Sequence, residues 1–538
     1  MNRNPIEIFD TTLRDGTQGE GVTLSVKDKV RIAIRLDEFG MDFIEGGWPG
    51  SNPKDESFFK EIRKEKLHHS RICAFGSTAR FPDKVLSDAN LNLMLAAETS
   101  VVSIFGKAWK LHSELGLELD ASENETLIYE SIQYLKSEGR HVIFDAEHFF
   151  DGYKDDPEFA LQMVKAAGKA EADTIVLCDT NGGSLPSEIS DIVHVVKKNI
   201  SAPLGVHAHN DSELAVSNTI AAVEAGVSHV QGTINGVGER CGNANLVSII
   251  PNMILKLGLK TVQKIDLTQL SSISHFVSEV MNFAPDQRAA YVGRSAFAHK
   301  GGIHVSAVLK NSSMYEHIEP EIVGAQRRVL VSDLSGQSNI RYKASELDVR
   351  LNGDKTLTKK VVNRIKALEH AGYQFDGAEA SFELILQEEL GAFQPFFDVL
   401  DSRINVNYGE NGHKHADAML KVIVDGEVEH TIADGVGPVN ALNLALKKAL
   451  VRFYPEIKDV KLVDYKVRVL EERAGTESKV RVLAESSDGK ESWSTVGVSE
   501  NIIEASWQAL RDSFNYRLYI KKKKNAHSRK VKGLAKPY

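Results

Sequence analysis

Between residue 5 and about residue 260 the chain repeats one pattern eight times: a short apolar run, then an amphipathic stretch of helical period. The apolar runs are Ile6–Phe9, Phe43–Glu45, Ile72–Phe75, Val101–Phe105, Val142–Ala146, Thr174–Cys178, Gly205–His209 and Val230–Thr233. Helical patterns separate them, among them Val26–Phe39, Glu123–Glu138, Pro157–Ala167, Pro186–Lys198, Glu213–Ala225 and Asn245–Leu257. Strands alternating with helices call for a parallel sheet with helices packed on it. Eight units in this length fit an α/β fold of the (β/α)8 type, a TIM barrel, in both count and size. A doubly wound open sheet is the competing architecture, and it requires a reversal of strand order.

A chain of 538 residues exceeds one compact core, so further domains are expected. The spacing predicts a catalytic barrel over 1–270 and a helical linker or subdomain over 271–390 that completes the active site. An α+β domain with an internal duplication follows over 391–520, then a basic tail over 521–538. The duplication pairs Val436 with Val496, Gly437 with Gly497, Ala445 with Ala505, Ala449 with Ala509 and Leu450 with Leu510, at an offset of 60. Two sheet-plus-helix halves of this kind, each with a Gly turn at its helix start, suit a small ligand or a dimer contact.

A net charge of -9 argues against nucleic acid or an anionic membrane as the main partner. The basic exception runs from Lys521 to Lys524, then Arg529, Lys530, Lys532 and Lys536, and it reads as a solvated terminus. No apolar run approaches the ~18 residues of a membrane span. The opening residues Met1–Pro5 lead straight into a strand pattern, so no signal peptide is expected. Cys73, Cys178 and Cys241 are far apart and fit reduced thiols, which makes a cytoplasmic location the expectation.

In a barrel of this type, function collects at the C-terminal ends of the strands. The polar clusters fall there: Asp10–Gln18, Glu45–Gly50, Asp145–His148, Cys178–Gly182, His207–Asp211 and Asn235–Asn243. His207 and His209, two apart on a strand, share one face, so both imidazoles can turn into the barrel mouth. Two imidazoles and a carboxylate suit a divalent catalytic ion, and Asp15 is the natural carboxylate because strand 1 closes against strand 8. Asn243 offers an amide oxygen. The alternative makes the histidines hydrogen-bonded rim residues. Arg14 can stabilise a developing enolate or alkoxide, pair with Glu45 or Glu147, or do both. Thr180 either donates to a substrate carboxylate or closes the turn Asp179–Gly182.

Taken together, Phe9-Asp-Thr-Thr-Leu-Arg-Asp-Gly, His207-Ala-His-Asn-Asp and Gly236-Val-Gly-Glu-Arg-Cys-Gly-Asn resemble the metal-dependent barrel family of 2-isopropylmalate, homocitrate and citramalate synthases. That family also includes hydroxymethylglutaryl-CoA lyase. The segment Glu45-Gly-Gly-Trp-Pro-Gly-Ser-Asn-Pro-Lys-Asp55 is similar to the citramalate synthase branch, as are Tyr315–Pro320 and Leu334–Ile340. The resemblance implies Asp15, His207, His209 and Asn243 around a divalent ion (magnesium, manganese, zinc or cobalt). It implies Arg14 as electrostatic catalyst and substrate contact, and Glu147 as its partner or a participant in proton transfer. It implies Thr180 on the substrate carboxylate, and His304 and Tyr315 as catalytic residues from the linker. The reaction implied is condensation of acetyl-CoA with pyruvate, in a homodimer whose last domain responds to isoleucine on a threonine-independent route to that amino acid.

Other readings predict different behaviour. A 2-isopropylmalate or homocitrate synthase takes another 2-oxo acid. A lyase cleaves a preformed acyl-CoA, and the duplicated last domain counts against it. A non-catalytic sensor binds an amino acid without turnover, and the intact Arg-Asp, His-x-His and Asn set counts against that.

Overall fold

A computed structural model describes residues 4–331, 337–347, 349, 355–408, 414–470 and 478–534. Of the motifs read above, Leu334–Gly336 and Lys536 lie outside the described residues. The chain divides into two compact units, Met1–Phe297 with Ile318–Gln326, and Ala298–His317 with Arg327–Tyr538.

The first unit is built on a closed barrel of eight parallel strands in sequential order, which excludes the open-sheet alternative. The strands are β1 (Glu7–Asp10), β2 (Phe43–Gly47), β3 (Arg71–Ser77), β4 (Val101–Lys107), β5 (His141–Glu147), β6 (Thr174–Asp179), β7 (Leu204–Ala208) and β8 (His229–Gly232). Closure is made by β1 on β8, with Phe9 opposite Gln231 and Asp10 opposite Gly232. The local chemistry explains the helices between them. Val26–Phe39 starts at a capping box of Ser25 and Asp28 and stops at Gly40, whose left-handed φ of 98° an L side chain resists. Pro157–Lys169 and Pro186–Asn199 open with proline in the first turn, where its missing N–H costs nothing.

Alternation along the strands sorts the barrel interior into layers. Phe9, Phe43, Cys73, Val101, Ile143 and Val176 form an apolar floor. Two residues further along β2, β4 and β5 come Glu45, Ser103 and Asp145, and β7 and β8 add His207 and Gln231, all polar and buried. The packed floor therefore supports a polar mouth.

In the second unit, Asp398–Tyr408, Lys414–Val424 and Glu427–Gly435 form one antiparallel sheet, followed by the helix Pro438–Val451. Lys461–Val469, Val480–Ser487 and Ser492–Ser499 form another, followed by the helix Ile502–Leu534. Two sheet-plus-helix halves are present, but their register differs from the expected offset. Thr431 Oγ1 donates to the Ala445 carbonyl at 2.9 Å, and Thr495 Oγ1 donates to the Ala509 carbonyl at 2.7 Å. Equivalent residues are thus 64 apart, as are the helix starts at Pro438 and Ile502. Gly437 caps its helix, whereas Gly497 lies inside a strand, so the paired Gly turns do not exist. The basic segment differs too: the last helix runs on to Leu534. Lys521 pairs with Glu456 at 2.9 Å, Lys523 donates to the Leu347 carbonyl at 2.7 Å, and Lys524 pairs with Glu491 at 2.6 Å. These lysines cover acidic groups of their own unit rather than dangling in solvent.

Candidate active site at the barrel mouth

The ends of β1 and β7 bring Asp15, His207 and His209 together, all buried, with one donor atom from each within 4.8 Å of the others. His207 Nε2 is 3.3 Å from Asp15 Oδ2 and 3.3 Å from His209 Nε2. His209 Nε2 is 3.9 Å from Asp15 Oδ2. Asn243 stands opposite His209 in an isolated bridge, and its buried Oδ1 has no hydrogen-bond partner among the described residues. The loop that carries it doubles back tightly. Gly242 has φ +89°, and a Cβ there would meet the Gly236 carbonyl at 2.0 Å. An oxygen left orphaned in a buried site costs free energy unless something binds it. Two imidazole nitrogens, a carboxylate and that amide oxygen fit a divalent ion.

The tautomer of His207 follows from its neighbours. Gln231 Nε2 donates to Asp145 Oδ1 at 3.1 Å, which turns the amide oxygen toward His207. His207 Nδ1–H then donates to Gln231 Oε1 at 2.9 Å, and Nε2 faces Asp15. Ser103 Oγ holds the other oxygen of Asp145 at 2.8 Å. Gln231 carried no signal in the sequence reading: it is one buried polar residue between Val230 and Gly232, inward-facing by alternation alone.

Electrostatics follow from burial and these contacts. Burial pushes the Asp15 carboxyl up, but Arg14 and the His207 contacts outweigh it and hold the group well below the ordinary carboxylate range. Burial works against charge on His207 as well, yet the hydrogen bond and charge of Asp15 raise its pKa. Burial and the neighbouring His207 push His209 down to about 3. Burial raises Glu45, opposed by Arg14 and reinforced by Asp145.

Arg14 Nε donates to Glu45 Oε2 at 2.7 Å, and its Nη1 lies 3.2 Å from Asp15 Oδ2. Its guanidinium carbon sits 3.8 Å from the centroid of the Phe75 ring. Of the two carboxylates considered for Arg14, the structure selects Glu45, which also accepts from Thr11. Glu147 is instead ion-paired with Lys107, the residue beside it across the β4–β5 ladder. The turn Asp179–Gly182 is closed by the Gly182 N–H on the Asp179 carbonyl at 3.0 Å, which leaves the Thr180 side chain outside it. Thr180 Oγ1 accepts from the His148 N–H at 2.9 Å, and the residue lines the cavity with its O–H proton still to give. His304 and Tyr315 belong to the second unit, where their rings stack at 4.3 Å.

The mouth of the barrel holds a cavity of about 240 Å³. Arg14, Asp15, Thr180, His207, His209 and Glu147 line it, as do Gln18, Glu239, Arg240 and Cys178. One side is aromatic, made by Trp48, Phe75 and Phe105. Trp48 stood in the sequence only as part of the segment after β2, and the two phenylalanines read as strand core. Arg240 ties three loops together, reaching Asp211 at 2.8 Å and the Thr180 carbonyl at 2.7 Å.

The HMGL-like family model matches residues 5–277, the whole barrel. A homocitrate synthase post-HMGL domain-like model matches 291–372, and a LeuA allosteric (dimerisation) domain model matches 376–518. An (R)-citramalate synthase of Geobacter sulfurreducens is 53% identical over 518 residues, covering 96% of this chain and 98% of that protein. An (R)-citramalate synthase of Aquifex aeolicus is 51% identical over 515 residues, covering 95% of this chain and 98% of that protein. A 2-isopropylmalate synthase of Methanocaldococcus jannaschii is 33% identical over 513 residues, covering 95% of this chain and 94% of that protein. With its ligand cluster at the mouth of the matched barrel, the chain belongs to the HMGL-like family and, along nearly its whole length, groups with the (R)-citramalate synthases.

Proposed function

We propose that the chain is an acyltransferase that condenses acetyl-CoA with pyruvate to give (R)-citramalate and free CoA. The observation that carries the reading is the cluster of Asp15, His207, His209 and Arg14 in a cavity of about 240 Å³, a volume suited to a small 2-oxo acid. The relatives at 53% and 51% identity are (R)-citramalate synthases and the 2-isopropylmalate synthase is only 33% identical, which supports pyruvate as the acid.

Asp15, His207, His209 and Asn243 would hold a divalent ion. When bound, such an ion supplies Lewis-acid polarisation of the substrate ketone. Arg14, fixed by Glu45 and Phe75, stabilises charge growing on the ketone oxygen. Thr180 donates its O–H to the substrate carboxylate. In the condensation a methyl proton leaves acetyl-CoA, the methyl carbon bonds to the ketone carbon, and the ketone oxygen takes up a proton. Water then cleaves the thioester and releases the CoA thiol. We assign proton handling to Glu147, His304 and Tyr315.

The match of residues 376–518 to the LeuA allosteric (dimerisation) domain supports a homodimer, and a route from citramalate to isoleucine makes that amino acid the feedback ligand to test. No helix of the described residues is long and apolar enough to cross a membrane, which accords with a cytoplasmic biosynthetic enzyme. The test is CoA release followed with a thiol reagent, from acetyl-CoA, a divalent metal and, in turn, pyruvate, 2-oxoisovalerate and 2-oxoglutarate. Turnover with pyruvate alone is expected. Preference for either longer acid moves the chain to another branch, and silence with all three overturns the synthase reading.

A further inference from the structure

The aromatic side of the cavity is more rigid than a packed surface needs to be. Phe75 and Phe105 stack with ring centroids 5.5 Å apart, and Trp48 meets each of them edge-on at 5.7 Å. The indole has no donor left for a substrate, because Nε1–H is given to Asn90 Oδ1 at 2.7 Å. Asn90 donates its own N–H to the Ser77 carbonyl at 2.8 Å, which fixes the end of the amide that faces the indole. Trp48 therefore presents only apolar surface to the cavity.

Its backbone is clamped as well. The Trp48 N–H donates to Asp55 Oδ2 at 2.9 Å. The other oxygen of Asp55 takes the Lys29 ammonium at 2.5 Å, and Lys29 also donates to the Gly46 carbonyl at 3.1 Å. Lys29 is only 2% exposed. Ion pairs this deep carry a large desolvation cost and are weak evidence of stabilisation. Here its contacts converge on the backbone of residues 46–48. The glycines complete the fit: a Cβ on Gly46 would meet Phe58 at 2.2 Å, and one on Gly47 would meet Asp55 at 2.5 Å. The strand end is thus pressed against its clamp with no slack.

We propose that Trp48 is the specificity-determining residue of the 2-oxo acid pocket, a fixed apolar stop that admits a methyl group and excludes longer side chains. Asn90 holds its side chain, and the Lys29–Asp55 pair holds its backbone. The proposal rests on the synthase reading above. The wall begins beside Arg14, whose guanidinium lies on Phe75, so the stop stands next to the group that meets the reacting ketone. A wall that cannot retreat discriminates by size, on the order of 10- to 200-fold per methylene.

The experiment compares kcat/KM for pyruvate, 2-oxobutanoate and 2-oxoisovalerate in the unmodified chain, Trp48→Leu, Trp48→Phe and Asn90→Leu. The ratio of 2-oxobutanoate to pyruvate is expected to rise about 10-fold or more in Trp48→Leu and less in Trp48→Phe. Asn90→Leu, which frees the indole without shrinking it, moves the ratio the same way by a few-fold. Trp48→Phe keeps an aromatic ring against Phe75 and Phe105, so it carries the test if the leucine variant fails to fold. A uniform loss with all three acids at an unchanged ratio overturns the proposal and makes Trp48 merely structural. Silence of the unmodified chain with every acid overturns the synthase reading, and this inference with it.

Discussion

The Nε2 atoms of His207 and His209 stand 3.3 Å apart, and both face the Asp15 carboxylate. Asp15 Oδ2 is at 3.3 and 3.9 Å from them, and Asn243, whose buried Oδ1 has no partner among the described residues, bridges to His209 through its backbone. Such a donor set suits a shared divalent cation. Asp15→Asn keeps the shape and removes the charge. Its affinity for Mn2+, measured by titration calorimetry, is expected to fall by more than the ~10- to 100-fold that loss of an outer-shell partner costs. Unchanged binding would place the ion elsewhere.

Metal binding is also expected to release a proton. The contacts with Asp15 raise the His207 pKa above its ordinary value, so in the metal-free protein this imidazole keeps a proton that a ligand must give up. His209, pushed down to about 3, is already neutral and contributes none. Apparent affinity therefore rises with pH up to the raised His207 pKa and flattens above it. Calorimetry in buffers of different ionisation enthalpy measures the release, which approaches one proton on the acid side and shrinks as pH rises. No release at pH 6 contradicts this account.

Gln231 fixes His207, and so the nitrogen that His207 turns toward Asp15. Gln231→Leu removes the acceptor for Nδ1–H and frees both the tautomer and the ring. Mn2+ affinity is expected to drop ~10- to 100-fold, with the barrel still folded by circular dichroism. Wild-type affinity in this variant would show that packing alone orients the histidine.

Much of this site was legible from strand alternation, and the failures have physical causes. His207 and His209 were found because two polar residues at period two interrupt an apolar strand, and Asp15 because β1 closes on β8. Gln231 is a lone polar residue whose partner, Asp145, is 86 residues away, so no local pattern marks it. Glu45 and Glu147 looked equivalent as partners of Arg14. Lys107, level with Glu147 in the β4–β5 ladder, decides between them. The duplication misled through composition. The residues matched at offset 60 were valine, glycine, alanine and leucine, which recur by chance, while the Thr431 and Thr495 hydrogen bonds that define the true offset are tertiary.

Lys29 and Asp55 supply a stability test. Asp55→Ala strands a lysine that is 2% exposed, and removing one partner of a buried pair costs ~3–5 kcal/mol. Thermal unfolding is expected to show a large loss in Asp55→Ala and a smaller one in the double variant Lys29→Met with Asp55→Ala, where no charge is left unpaired. Equal losses in the two variants would mean that the carboxylate's bond to the Trp48 N–H, not the ion pair, holds this strand end.

Arg14 is bound on one edge by Glu45 and on one face by Phe75, which leaves its geometry fixed before substrate arrives. Lysine at this position keeps the charge beside Asp15 but cannot satisfy Glu45 and reach the ketone oxygen in one plane. Arg14→Lys is therefore expected to lower kcat on the order of 10²- to 10³-fold, the scale of losing a preorganised donor at a developing oxyanion. Metal affinity changes much less, because the local charge survives. Steady-state kinetics with pyruvate, beside calorimetry with Mn2+, separate the two effects. A kcat within a few-fold of wild type would assign Arg14 to the ion pair with Glu45 and to nothing in the chemistry. A parallel loss of metal and turnover would make its neighbour Asp15 depend on it for position.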